Sequence, residues 1–265
     1  METLPSDGKR VDLAWGDGHV FPQKPYPDVA FLYQRMNEVT LGKVAVSGGE
    51  LVLDIGCGRA IDAIELAKGG GRCSGLEPSR KMINLAREYI AANGMEVSLV
   101  QGAGEYLPFK TNSFDKVVCK GALDHFLDPA KAIEEMARVL KPQGKAIIAI
   151  ANFESLGFRL GRWLFALEKS LLKGKAKRQN VWQIPADHTL KFDYTVLKRL
   201  VEPHLKIEQS TGTSLLFGLP GWSSLLDKLP ERVSLAILSA LDKLACHLPS
   251  FSNVIVLKCS PKSLS

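Results

Sequence analysis

Apolar positions along this chain switch repeatedly between two periods. From Asp28 to about Val44 they recur at Val29, Leu32, Tyr33, Met36, Val39 and Thr40, a spacing that predicts an amphipathic helix. Leu51 to Ile55 is a short apolar run with one acid, the form of a buried strand in a parallel sheet. Ile61, Ile64, Leu66 and Ala67 return to helical spacing. The alternation continues with a strand at Arg72–Leu76, a helix striped by Met82, Leu85, Ala86, Tyr89 and Ile90, and strands at Glu96–Val100 and Lys116–Cys119. A helix striped by Ile133, Met136, Ala137 and Leu140 then leads to a strand at Lys145–Ile150. The punctuation agrees with the pattern. Ser79 stands where an N-cap is needed, Asn93-Gly94 ends that helix, Asp128-Pro129 opens the next, and Lys141-Pro142-Gln143-Gly144 stops it. Strands alternating with helices predict a doubly wound, parallel α/β sheet.

Beyond Ile150 the pattern changes. Asn152 to Lys173 sets Phe153, Leu156, Phe158, Leu160, Trp163, Leu164, Phe165 and Leu167 among Arg159, Arg162, Lys169 and Lys173, and Lys175, Lys177 and Arg178 follow. Such a helix can fold over its own domain as a lid, lie on an anionic membrane, or contact RNA. Asp187-His188 precedes a helix at Val196–Val201 and a strand at Lys206–Gln209. Residues 214 to 248 are again apolar and helical, and Asn253–Cys259 has the β-branched content of a strand, expected to be the last, antiparallel one of the sheet. The chain thus divides into an arm and lid helix (1–48), a core (49–152), a helical insertion (153–192) and a segment completing the sheet (193–265), itself interrupted by helices at about 214–248.

Composition narrows the picture. With 265 residues and 46% apolar content, one α/β domain with insertions fits better than two domains. Five scattered cysteines, with no Cys-x-x-Cys pair and no histidine cluster at ligand spacing, read as reduced core thiols of a cytoplasmic protein without structural zinc. An apolar signal region and an uncharged run of about 18 residues are both missing, so a spanning segment is not expected. The net charge of +6 admits an anionic partner, nucleic acid or membrane surface, without choosing between them. The basic run at 173–178 lacks the aromatic interleaving of a base-stacking platform, which argues against nucleic acid.

The chemistry concentrates at Leu51–Ala60. Gly56 and Gly58 between a strand and a helix form a nucleotide-type elbow, where backbone can approach a ligand closely. A dinucleotide fingerprint would place a third glycine where Ile61 stands. Asp54, just ahead of the turn, would repel a pyrophosphate and suits a cationic ligand. Glu77, about 20 residues past the first glycine and at the end of a strand, can take both hydroxyls of a ribose.

The pattern Asp54-x-Gly56-x-Gly58 resembles the first motif of class I S-adenosylmethionine (SAM) dependent methyltransferases. Three further stretches carry the resemblance: Glu77-Pro78-Ser79-x-x-Met82, the run Gly102-Ala103-Gly104-Glu105-Tyr106-Leu107-Pro108-Phe109 followed by Ser113-Phe114-Asp115, and Ala137-Arg138-Val139-Leu140-Lys141-Pro142-Gln143-Gly144. It is continuous from Leu51 to Ile150. It implies a Rossmann-like, seven-stranded, mostly parallel sheet with an antiparallel last strand. It also implies SAM as cofactor, with S-adenosylhomocysteine as product. The cofactor residues implied are Asp54, Gly56, Cys57, Gly58, Glu77, Pro78, Met82, Ala103, Gly104, Glu105, Lys120 and Gly121. One departure stands out. The family's aspartate facing the adenine amino group is Ala103 here, leaving that contact to backbone near Ala103 and Gly104 or to Glu105. On the acceptor side the candidates are Tyr33, Asp124, Trp163 and His188. His125 and His188 are candidate bases, since a neutral imidazole can accept a proton near pH 7, and no metal is implied. The expected acceptor is a small, rather apolar molecule such as a lipid, quinone or polyketide-like compound, with peripheral membrane contact an open reading. Methylation of RNA or protein, or a non-catalytic SAM-binding or membrane-associated role, are the alternatives. The oligomeric state is left open.

Overall fold

A computed structural model describes residues 25–171 and 189–262. Seven strands form one sheet in the order β3-β2-β1-β4-β5-β7-β6, built from β1 (Leu51–Ile55), β2 (Arg72–Glu77), β3 (Val97–Gln101), β4 (Phe114–Lys120), β5 (Leu140–Ala151), β6 (Leu205–Thr213) and β7 (Val254–Pro261). Strands β1 to β5 pair in parallel, whereas β7 runs antiparallel to both β5 and β6. The doubly wound sheet with a reversed last strand is therefore present as expected.

Among the described residues eight α-helices flank it: α1 (Pro27–Val44), α2 (Ile61–Lys68), α3 (Arg80–Ala92), α4 (Pro129–Val139), α5 (Leu156–Leu171), α6 (Tyr194–Val201), α7 (Trp222–Asp227) and α8 (Glu231–Ala245). Each sheet face has its own apolar core. Val52, Val118, Ile147, Ala149 and Val256 meet Leu32, Ala63, Leu66 and Ala86 from α1, α2 and α3. The residues one step along the same strands, Leu53, Ile55, Val117, Cys119 and Ile148, meet Ile133 and Met136 of α4 and Leu197 of α6. That period-two division is what a strand buried on both faces must show.

Several boundaries differ from the periodic reading. Strand β5 begins at Leu140 rather than Lys145, because Leu140 pairs with Phe114 before an irregularity in the ladder. The 214–248 stretch is two helices, α7 and α8. Along α3, Met82, Ile83 and Ala86 are buried while Tyr89 is exposed. On α8, Leu238 is buried, but Val233 and Leu244 face outward, as does Leu248 just beyond it. All five cysteines are free thiols, four of them buried. Among the described residues no helix is long and apolar enough to cross a membrane.

Parts of the family-like stretches between β3 and β5 brace the scaffold. Arg138 on α4 donates to the carbonyls of Leu107 (3.0 Å) and Phe109 (2.8 Å), while Glu135 accepts from the Leu107 amide at 2.9 Å. Asp115 takes the Leu51 amide at 2.9 Å and the Lys141 ammonium at 2.8 Å, tying β4 to β1 and to the start of β5. These bonds hold the loop after β3 against α4, and through it the carboxyl edge of the sheet.

Candidate functional site

The carboxyl ends of β1, β2 and β4 converge where the winding reverses, the position at which open α/β sheets bind ligands. The elbow after β1 is held by its neighbour strand. Both the Gly56 and Cys57 amides donate to the Leu76 carbonyl, at 2.8 and 3.1 Å. Gly56 adopts φ +71, and a Cβ there would lie 2.4 Å from the Cβ of Ala122, so only glycine lets the turn pass the loop after β4. Gly104 is similarly confined: a Cβ would fall 2.8 Å from the Phe126 ring. Helix α2 starts from Ala60 in left-handed conformation, with no side-chain cap of its own.

Asp54 compensates for the missing cap. It is 3% exposed, lies on the α2 side of the sheet, and takes a hydrogen bond from the Ala63 backbone, one of the amides that a helix N-terminus leaves open. Its Oδ2 is buried and, among the described residues, has no hydrogen-bond partner. Burial, reinforced by the charge of Asp62, pushes this carboxyl up to about 8. The nearest cation is already committed: the Lys120 ammonium sits 2.7 Å from Asp62 Oδ1 and also meets Asn37 Oδ1 of α1. A buried acid with one oxygen engaged and the other left over is costly unless a donor or cation completes it.

Glu77, at the end of β2, has both oxygens aligned by backbone. Oε2 accepts from the Gly58 amide at 3.1 Å and Oε1 from the Ser79 amide at 2.9 Å. Burial raises its pKa against the lowering effect of those bonds and of nearby His125. Each oxygen keeps further acceptor capacity, so two adjacent hydroxyls would find a bidentate partner. Ser79 caps α3 through the Met82 amide at 3.3 Å, as its position requires.

The other expected residues divide. Pro78 joins Glu77 to that cap, and Gly121 turns out of β4 at φ +61 with open space where a Cβ would stand. Met82 is 1% exposed, and its Cε lies 3.6 Å from the position of a Gly58 Cβ, which makes it packing beneath the turn. The Cys57 thiol sits against Gly75, and burial pushes its pKa well up, leaving it a packed rather than a reactive group. Glu105 is engaged through one oxygen within the scaffold. Its Oε1 accepts from the Leu127 and Asp128 amides at 2.8 and 3.3 Å, bracing the entry to α4. Lys120 is likewise turned to Asp62 and Asn37. Ala103 is half-buried at the end of β3, with its carbonyl taking the Tyr106 amide at 3.2 Å.

On the acceptor side, Asp124 and His125 share a short 3-10 turn after β4, with His125 Nε2 4.0 Å from Asp124 Oδ1. Thr189 binds this turn, its amide donating to the Asp124 carbonyl at 2.7 Å and its hydroxyl to the Phe126 carbonyl at 2.5 Å. Tyr33, half-buried on α1, packs beside the core under that helix. Trp163 does not join this cluster through any described contact and is exposed on α5. His188 lies outside the described residues. Asn37 and Asp62 were not anticipated. A signal existed for Asp62, an acid in the first turn of the helix that opens from the glycine elbow, and Asn37 stands one turn past Tyr33.

The comparisons with known proteins agree with this geometry. A methyltransferase-domain family model matches residues 53–148. An uncharacterized methyltransferase of Synechocystis, sll0829, is 32% identical over 154 residues, covering 57% of this chain and 68% of that protein. The demethylmenaquinone methyltransferase of Desulfitobacterium hafniense is 29% identical over 202 residues, covering 69% and 80%. YcgJ of Bacillus subtilis, an uncharacterized methyltransferase, is 38% identical, but the match spans only 39% of its length and 37% of this chain. In fold, the crystal structure of YcgJ superposes with a TM-score of 0.57 at 19% identity, over 87% of this chain and 99% of that one. A buried acid ahead of a glycine elbow, a second acid aligned one strand away, and matched sequence across both place this chain in the class I SAM-dependent methyltransferase family.

Proposed function

We propose that the chain transfers the methyl group of SAM to a small, rather apolar acceptor of lipid, quinone or polyketide-like type. The observation that carries the cofactor half is Asp54. Its unpartnered, buried Oδ2 lies in the same edge as the Glu77 carboxylate, so a ligand bearing both an ammonium and a ribose diol would satisfy the two acids together. In this reading Asp54 holds the amino-acid end, Glu77 takes the two ribose hydroxyls, and Gly56 and Gly58 let the backbone close on the adenosyl group. Backbone around Ala103 and Gly104 borders the base. Bound SAM supplies the activated methyl carbon, and the protein's work is alignment and exclusion of water.

His125 sits at the same edge with its ring partly exposed, positioned to accept a proton if the acceptor must lose one. The turn pinned by Thr189 carries it, and Tyr33 on α1 is kept as a further acceptor-side candidate. Support for the acceptor class comes from the apolar insertion after β5 and from relatives whose names specify quinones, the demethylmenaquinone enzyme and a ubiquinone biosynthesis O-methyltransferase of Klebsiella pneumoniae.

The test incubates the protein with methyl-labelled SAM and cell extract, then separates the organic phase, nucleic acid and protein. Label in the organic phase is expected. Label confined to RNA or protein would refute the acceptor class, and absence of turnover with SAM still bound would indicate a non-catalytic binder. Glu77→Gln should weaken SAM binding at least tenfold in calorimetric titration, with the melting temperature little changed.

A further inference from the structure

We propose that the outward face of α5 docks on an anionic lipid surface. One side of this helix is built into the fold. Gly157 backs so closely on the loop after β6 that a Cβ would fall 2.2 Å from the Phe217 carbonyl oxygen. Phe158 packs, tilted, between the rings of Phe153 and Phe217, with centroids at 6.1 and 6.0 Å. Away from that side lie Leu160, Trp163, Leu164 and Leu167, exposed by 37%, 60%, 39% and 42%. Their spacing of three, one and three residues makes one continuous apolar stripe. Leaving four such side chains in water on a single helix is a cost that a soluble surface ordinarily avoids.

Charge says what covers them. Within the described residues, Arg159 (3.6 Å), Arg162 and Lys191 all converge on the one carboxylate of Glu154 at the start of the helix. Positive charge is therefore left over where the stripe begins. A second copy of the chain meeting this face would bring two such surpluses together. An anionic bilayer instead neutralises them while taking the leucines and the tryptophan into its interface, the depth that aromatic side chains prefer. The helix follows the carboxyl end of β5, so docking would turn the site's edge toward the lipid. The docking does not depend on which acceptor is methylated.

The experiment is co-sedimentation of the full chain with phosphatidylcholine vesicles, with or without phosphatidylglycerol. Binding to the mixed vesicles is expected, falling about tenfold when the anionic lipid is omitted or salt is raised. Trp163→Gln combined with Leu164→Gln should lower partitioning by about tenfold with an unchanged melting temperature, and so should Leu160→Gln with Leu167→Gln. Failure of the unmodified chain to sediment would overturn the proposal. So would undiminished sedimentation of both variants, or a solution dimer that either variant dissociates, which would assign the face to a second copy.

Discussion

Replacing Asp54 by Asn separates what the fold needs from what the ligand needs. In the folded chain burial and Asp62 raise this carboxyl to about 8, against 3.8 for an exposed one. Between those values the unfolded chain has released the proton and the folded chain has kept it. Folded stability therefore falls as pH rises, by about 1.4 kcal/mol per pH unit, and levels off above about pH 8. Asn retains an oxygen for the Ala63 amide and carries no charge. Relative to wild type, Asp54→Asn should thus gain about 3 kcal/mol between pH 5 and pH 7. For a chain of this size that is a relative rise of about 6–12 °C in melting temperature. SAM binding should move the opposite way. A bound ammonium favours the ionised acid, so wild-type affinity should climb as pH approaches 8, by up to about tenfold per unit. In the variant it should be weak and lack this component. Thermal melts at pH 5, 6 and 7, with and without SAM, together with titration calorimetry, read both effects. If Asp54→Asn changes stability by the same amount at every pH, or binds SAM with undiminished affinity, the assignment of Asp54 as a buried, protonated acid awaiting a cation is wrong.

Gly56→Ala should abolish SAM binding and cost more than about 3 kcal/mol, because it combines a left-handed φ with a 2.4 Å clash against Ala122. Gly121→Ala, at φ +61 but with open space around it, should cost only the conformational part, about 1 kcal/mol; equal losses at the two positions in denaturant unfolding would contradict the close-packed elbow. Arg138→Ala removes the donor shared by Leu107, Phe109 and Glu135. It should cost about 2 kcal/mol in urea unfolding while SAM affinity stays within a few-fold, since the arginine braces the scaffold and touches no proposed ligand group.

Much of this protein is carried by local pattern. The period-two strands, the 3.6-period helices, and Ser79 and Asp128 as caps all follow from chain-local physics: side-chain alternation, backbone amides seeking a nearby acceptor, and the φ restrictions of glycine and proline. The positions of Asp54, Gly56 and Glu77 at the sheet's carboxyl edge were legible because a strand end, a turn and a spacing of about 20 residues suffice to mark them. Contacts across the fold were not. That Glu105 braces Leu127 and Asp128, that Met82 is covered, that Lys120 is spent on Asp62 and Asn37, and that α5 keeps four apolar residues outward depends on distances between elements 20 to 100 residues apart. Periodicity marks a residue as apolar and on a given face of its helix. Whether another element arrives to bury that face, or which of two carboxylates a lysine reaches, is decided only when the sheet has assembled and the remaining space is shared out.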